Sequence, residues 1–195
     1  MISVGGMRMT LISFIATDKF ISFMSDGRVN KVNTKESVCE NYKKIIKVNN
    51  AILAVGGNHK VSEFLLDNVN KFNTRNARAL AHSMFKELGN GKVKKEMNIL
   101  IGGLDENRNI YYSGFSHNST KLTDYYPMSG LVTRLATESG EVVELSNSGR
   151  LDQLIGNLQE VSLTQAKTIQ EELNALVSVV DNTVGKKTFH EYVQK

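Results

Sequence analysis

The chain contains no tryptophan, one cysteine (Cys39) and one proline (Pro127). A single cysteine excludes an intramolecular disulfide and fits a reducing, cytoplasmic setting. One proline, with no Pro-, Gly- or Ser-rich tract, leaves no obvious linker, so the 195 residues are expected to form one domain. No apolar run approaches the ~18 residues that mark a membrane helix. MISVGGMRM, at the start, is too short and too weakly apolar for a signal peptide. There is also little excess of either charge. The 24 basic and 20 acidic residues are interspersed and leave a formal +4 with no basic arm. Neither nucleic acid nor a membrane is therefore expected as a partner. No internal repeat or low-complexity segment stands out.

What is present suffices for a core: 41% of the residues are apolar and 23% charged. Leu11 to Ile15 and Phe20 to Met24 are β-rich runs around Thr17-Asp18-Lys19, which predicts a hairpin. Residues 27–41 are polar and predict a loop or a ragged hairpin. YKKIIKV (42–48) and AILAVGG (51–57) predict a second hairpin, turned at Asn49-Asn50, because asparagine tolerates left-handed geometry. The period then changes. Val61, Phe64, Leu65, Val69 and Phe72 fall at helical spacing, as do Ala77, Leu80, Ala81, Met84, Phe85 and Leu88, with Thr74 as N-cap and Gly89 as stop of the second helix. MNILIGGLDENRNIYYSGF (97–115) predicts a third hairpin turned at DENRN. Residues 119–147 suggest irregular strands with a turn at Ser139-Gly140. Residues 150–159 and 163–180 predict two more helices, and KTFHEYV (187–193) a last strand. The order of strands, two helices, strands, two helices and strand predicts an α+β, four-layer α/β/β/α sandwich of two antiparallel sheets.

Several short motifs carry no chemistry. GNGK (89–92) lacks the spaced glycine and the following Ser or Thr of a phosphate loop and follows a helix, so a helix-ending turn is expected. DENRN (105–109) spaces oxygens like the start of a calcium loop, but the glycine and glutamate that such a loop requires are missing. His59, His82, His117 and His190 show no ligand spacing, and Cys39 has no histidine near it in sequence. No metal and no cofactor is expected. KVKKE (92–96) is a solvated turn. Asn118-Ser119-Thr120 fits a glycosylation sequon with nothing to suggest secretion.

Taken in order, five segments resemble the proteasome β-subunit-like N-terminal nucleophile (Ntn) hydrolases, near the bacterial proteasome homologue. The opening hairpin resembles a threonine strand ending in an acid-x-Arg motif, with Asp26 sixteen positions after Thr10 and Arg28 following. YKKIIKVNNAILAVGG resembles the family's Lys-Lys hairpin, which places the catalytic lysine at Lys44. MNILIGGLDENRNIYYSGF resembles the central hairpin of archaeal and bacterial β subunits. SNSG (146–149), containing Ser148, resembles the Ser-Gly element before a helix. VDNTVGKKTFHEYV resembles the segment in which Asp181 and Gly185 precede the last strand. The resemblance implies a threonine-type peptidase or amidase acting on peptide or amide bonds and a homo-oligomer that can be a ring; no helix or loop identifies an ATPase partner. It implies Thr10, Asp26 and Lys44 as catalytic residues, with Arg28, Ser148 and Asp181 in support.

The chemistry of such a set is coherent. A threonine hydroxyl is a weak nucleophile and needs a base. The free α-amine of an N-terminal threonine, with a pKa near 8, can be that base. A buried lysine beside the hydroxyl favours the alkoxide, and an aspartate beside the lysine offsets its burial. Backbone N–H groups near Gly56 and Gly57 can stabilise an oxyanion. Singly, the residues also have bland readings: Thr10 as a strand residue, Asp26-Gly27 as a turn, Lys44 as an edge charge. Three departures matter. Thr10 follows Met9 rather than a glycine, Val184 stands where the family has a serine, and residues 116–147 exceed the family's length. Residues 1–9 are expected to be a leader or a mis-assigned start, since Met9-Thr10 has the form from which methionine aminopeptidase exposes a threonine amine. Gly5-Gly6 can be encoded by a ribosome-binding sequence ahead of Met9. The alternative is a catalytically silent structural or interaction module that keeps its leader.

Overall fold

The structure, a computed structural model, describes residues 11–31, 36–137, 147–156 and 160–195. Thr10, the Ser139-Gly140 turn and the end of the expected helix at 157–159 lie outside the described residues. The fold is α+β. One sheet has the order β10-β2-β1-β9, from Thr188–Gln194, Phe20–Asp26, Ile12–Ala16 and Thr133–Ala136. The other has the order β5-β6-β7-β8, from Ile45–Val48, Ala51–Gly57, Met97–Leu104 and Ile110–Ser116. All of their pairings are antiparallel. A short ladder of β3 (Val29–Asn30) and β4 (Ser37–Cys39), with a register shift, lies in the described part of residues 27–41, where a loop or a ragged hairpin was expected.

Successive strand residues point to opposite faces, and both faces here are covered, so the strands lack polar alternation. Leu11, Ile15, Phe20 and Met24 join a cluster with Leu151 of α3 (Asn147–Ile155) and Leu173 and Val177 of α4 (Leu163–Val180). Their neighbours Ile12, Phe14, Ile21 and Phe23 join Ile52, Ala54 and Leu104 of the other sheet. Leu53, Val55, Ile99 and Ile101 in turn pack with Leu65 of α1 (His59–Asp67) and Leu80, Ala81 and Met84 of α2 (Ala77–Leu88). A polar seam lies on α4. Gln170 Oε1 accepts from Ser22 Oγ at 2.9 Å, and Gln170 Nε2 donates to Ser13 O at 3.1 Å, which fixes the helix across β1 and β2. A reciprocal Ser162–Gln165 capping box starts α4. No helix among the described residues is long and apolar enough to cross a membrane.

Two local expectations are corrected. The N-cap of α2 is Asn76, whose side chain accepts from Ala79 N at 2.8 Å. Thr74 instead accepts from Asn49 Nδ2 at 3.0 Å through its carbonyl, bracing the β5–β6 turn where Asn49 has φ +52°. The described part of residues 119–147 holds one strand, β9, and an isolated bridge between Tyr112 and Tyr125. The aromatic residues there pack on the sheet edge instead of extending it: Tyr125 stacks on Tyr112 and Tyr126 meets Tyr111 edge-on. The DENRN turn is held by Asp105, whose Oδ1 accepts from Asn107 N at 2.9 Å and Asn109 N at 2.7 Å.

Candidate active site

Asp26 ends β2 and is fully buried. Its two carboxylate oxygens take four donors. Oδ1 accepts from Leu11 N at 3.0 Å and Lys44 Nζ at 2.7 Å, and Oδ2 accepts from Arg28 N at 2.9 Å and Gly185 N at 3.1 Å. Burying a carboxylate is costly unless its lone pairs are used, and here each oxygen serves two donors. The side chain thereby joins four parts of the chain: the entry to β1, the loop after β2, the approach to β5 and the turn before β10. Asp26 N also donates to Leu11 O at 3.0 Å, so Leu11 is held at both ends of its backbone. Leu11 follows Thr10 directly in the sequence.

Lys44 precedes β5 and is 3% exposed. Its carbonyl accepts from Val55 N at 3.0 Å, which sets the residue into the β5–β6 hairpin. Burial pushes the ammonium below the usual lysine range. The charge and hydrogen bond of Asp26 and the charge of Glu40 oppose that, and Arg28 adds to it. A lysine in this state gives up a proton more readily than one in water, while its carboxylate partner keeps it aimed.

The other residues singled out in the sequence divide. Arg28 lies beside Asp26 through its backbone, while its guanidinium pairs with Glu40 Oε1 at 2.7 Å and donates to Asn182 O. Asp181, the C-cap of α4, is buried, and its Oδ1 accepts from Thr183 N at 2.8 Å and Thr183 Oγ1 at 2.5 Å. Val184 turns into the cluster beneath α3 and α4. The Thr183 hydroxyl beside it is engaged by Asp181. Ser148 is bonded elsewhere: its Oγ donates to Ala136 O at 3.1 Å and accepts from Ala136 N at 3.3 Å, tying α3 to β9. Gly56 and Gly57 pair with Asn98 and Met97 at the end of the β6–β7 ladder. Gly57 has φ +103°, and a Cβ there would lie 2.6 Å from Glu96 O, so the crossing of β7 accounts for that glycine by itself. Among the described residues, no three His, Cys, Asp or Glu side chains gather as a metal set. Sequence reasoning missed Leu11 N as a donor to Asp26, and it missed Glu40.

No family model matches the sequence, and no curated protein sequence matches it. Among solved structures the chain is similar to eukaryotic HslV from Trypanosoma brucei, with a TM-score of 0.62 and 11% sequence identity over 95% of this chain and 99% of that one. The likeness is one of fold, and the fold is proteasome-like, as the sequence resemblance implied.

Proposed function

We propose that the chain is a threonine-type peptidase or amidase whose nucleophile is Thr10, exposed by removal of residues 1–9. The observation that carries this reading is the buried Lys44–Asp26 pair, 2.7 Å apart, with the same Asp26 oxygen bonded to the backbone of Leu11. In this reading the Thr10 α-amine takes the hydroxyl proton as Oγ attacks the scissile carbonyl. Lys44, with its lowered proton affinity, lessens the cost of the developing alkoxide. Backbone N–H groups by Gly56 and Gly57 receive the oxyanion. The tetrahedral intermediate expels the amine, which leaves with the proton, and an ester to Thr10 remains. Water, deprotonated by the same α-amine, hydrolyses the ester and restores the hydroxyl. Asp26 and Arg28 hold the frame, with Asp181 in the adjoining turn. The bonds of Ser148 to Ala136 favour a structural part for that residue.

The four-layer α/β/β/α arrangement is part of the proposal, supported by the three apolar clusters. So is assembly into a homo-oligomer, which the sequence resemblance implies; light scattering showing a monomer at working concentration would refute it. A second reading, a silent module, is favoured by Val184 in place of the family's serine. One experiment separates them. A chain starting at Thr10 is expected to hydrolyse fluorogenic peptide amides, and Thr10→Ala to abolish the hydrolysis. Turnover unchanged in Thr10→Ala overturns the mechanism. No turnover in the Thr10-start chain, tested on varied peptide amides, leaves the module.

A further inference from the structure

We propose that Glu40 and Arg28 act as a couple of positioning residues: together they pin the loop that delivers Lys44 onto the turn before β10, and they hold two opposite charges beside the turn whose Gly185 N bonds Asp26. The proposal rests on the reading of Lys44 as the residue that eases ionisation of the Thr10 hydroxyl, and extends it to a carboxylate outside the resemblance.

The geometry is built for the couple. Arg28 Nε meets Glu40 Oε1 at 2.7 Å, and the same guanidinium donates through Nη1 to Asn182 O. Ser37 Oγ donates to Glu40 Oε1 at 2.7 Å, which fixes the carboxylate from its own loop. Two glycines make room. A Cβ on Gly27 would lie 2.5 Å from Glu40 O, and a Cβ on Gly185 would lie 3.0 Å from Arg28 Cβ and 3.1 Å from Glu40 Oε2. Tyr42 N donates to Gly27 O at 2.9 Å, closing the loop two residues before Lys44. The couple therefore connects the loop ahead of Lys44 to the turn whose Gly185 N holds Asp26.

Electrostatics agree with that placement. Burial draws the Glu40 carboxyl upward, but the Ser37 and Arg28 hydrogen bonds, with the charges of Arg28 and Lys44, outweigh it and hold the group below the ordinary carboxylate range. Glu40 is thus an anion at neutral pH. The charged groups acting on Lys44 are Asp26 and Glu40, which favour its ammonium form, and Arg28, which disfavours it.

A structural role and a charge role predict different signs. If Glu40 only packs the loop, its loss admits water to Lys44 and moves the lysine up, toward its ordinary value. If its charge acts on Lys44, Glu40→Gln, which keeps the shape, moves the lysine down. The experiment follows the ¹³Cε shift of Lys44 with pH in lysine-labelled protein, assigned by Lys44→Arg, for wild type, Glu40→Gln and Arg28→Gln. The expected result is a lower titration midpoint in Glu40→Gln and a higher one in Arg28→Gln. An unchanged or raised midpoint in Glu40→Gln, or an unchanged midpoint in Arg28→Gln, overturns the proposal. The readout needs no turnover, so it stands apart from the peptidase reading. A chain inactive on peptide amides with opposed midpoints keeps the couple and loses the enzyme. An active chain with unmoved midpoints does the reverse.

Discussion

Asp26→Asn changes one charge at nearly constant volume, and the four bonds to the carboxylate set its cost. Oδ1 serves Leu11 N and Lys44 Nζ, and Oδ2 serves Arg28 N and Gly185 N. An amide accepts on one side only, so in either orientation two N–H donors face an NH₂ group. A buried donor left without an acceptor costs about 1–3 kcal/mol, and a buried charge left without its partner about 3–5 kcal/mol. The two costs overlap, because Lys44 is one of the donors and can relieve itself by losing its proton. The expected loss is about 3–5 kcal/mol at neutral pH, a large share of the stability of an ordinary domain.

The pH dependence has a defined sign. Burial already places folded Lys44 below its usual range, with Asp26 as the main opposing influence. In the variant that opposition is gone, so the folded value falls further while the unfolded value stays ordinary. Between the two, the unfolded chain holds a proton that the folded chain has released, and stability rises with pH. The deficit against wild type therefore narrows, by at most about 1.4 kcal/mol per pH unit, as pH climbs from neutral to the lowered value of folded wild-type Lys44, and stays level above it. Urea unfolding of both proteins at about pH 7 and about pH 9.5 reads both quantities. A deficit under about 1 kcal/mol at neutral pH, or one that widens with pH, refutes the account of the pair as buried and charged.

Gly103→Ala is expected to cost at least about 3 kcal/mol or to prevent folding, because φ is +147° there and the new Cβ would fall 2.0 Å from Asn50 O; a urea midpoint near wild type would contradict this. Asn76→Ala is expected to cost about 1 kcal/mol through loss of the α2 cap, and Thr74→Val clearly less, since the Thr74 hydroxyl only meets Asn49 Nδ2 at 3.4 Å. Equal costs in thermal unfolding would place the cap wrongly.

The strands were legible because β1 and β2 are apolar on both faces, and both faces are covered. The bounds of α4 were legible because Leu163 to Val180 keeps its period up to a capping box. The cap of α2 was not, since Thr74 and Asn76 are two residues apart and both cap well in isolation; the choice fell to Asn49, which engages Thr74. Residues 119–147 suggested irregular strands; in the described part Tyr125 and Tyr126 lie on a sheet edge, and β-propensity measures fit to a half-buried pleated surface, which a loop lying on that edge offers too. At the site, the meeting of Asp26 with Lys44 was what the resemblance implied, and it is made by side chains whose types the sequence displays. The donors from Leu11 and Gly185 are backbone groups, which every residue but proline carries, so no residue type announces them. Glu40 was hidden in a polar loop whose course depends on two glycines.

Asp26 and Lys44 are not equally explained by stability, and the difference bears on whether the chain is an enzyme or a scaffold. Three of the four donors to Asp26 are backbone N–H groups, so a carboxylate there has work in the fold whether or not anything is hydrolysed. Lys44 has no comparable structural duty. Its carbonyl bond to Val55 N is open to any residue, and its ammonium has one acceptor among the described residues, Asp26 Oδ1. Burying that ammonium is unfavourable, as its lowered proton affinity records. A methionine would fill much of the same space without a charge to desolvate. Removing one member of a buried pair usually costs about 3–5 kcal/mol because the other charge is stranded. Here the carboxylate left behind keeps three N–H donors, so its lone pairs stay engaged. Lys44→Met is therefore expected to cost less than Asp26→Asn by at least about 1 kcal/mol in urea unfolding, while peptide-amide hydrolysis by the Thr10-start chain falls to background. A Lys44→Met protein as unstable as Asp26→Asn would make the lysine a structural residue and remove the main support for the enzyme. A stable and inactive one leaves proton chemistry as the reason for the buried ammonium.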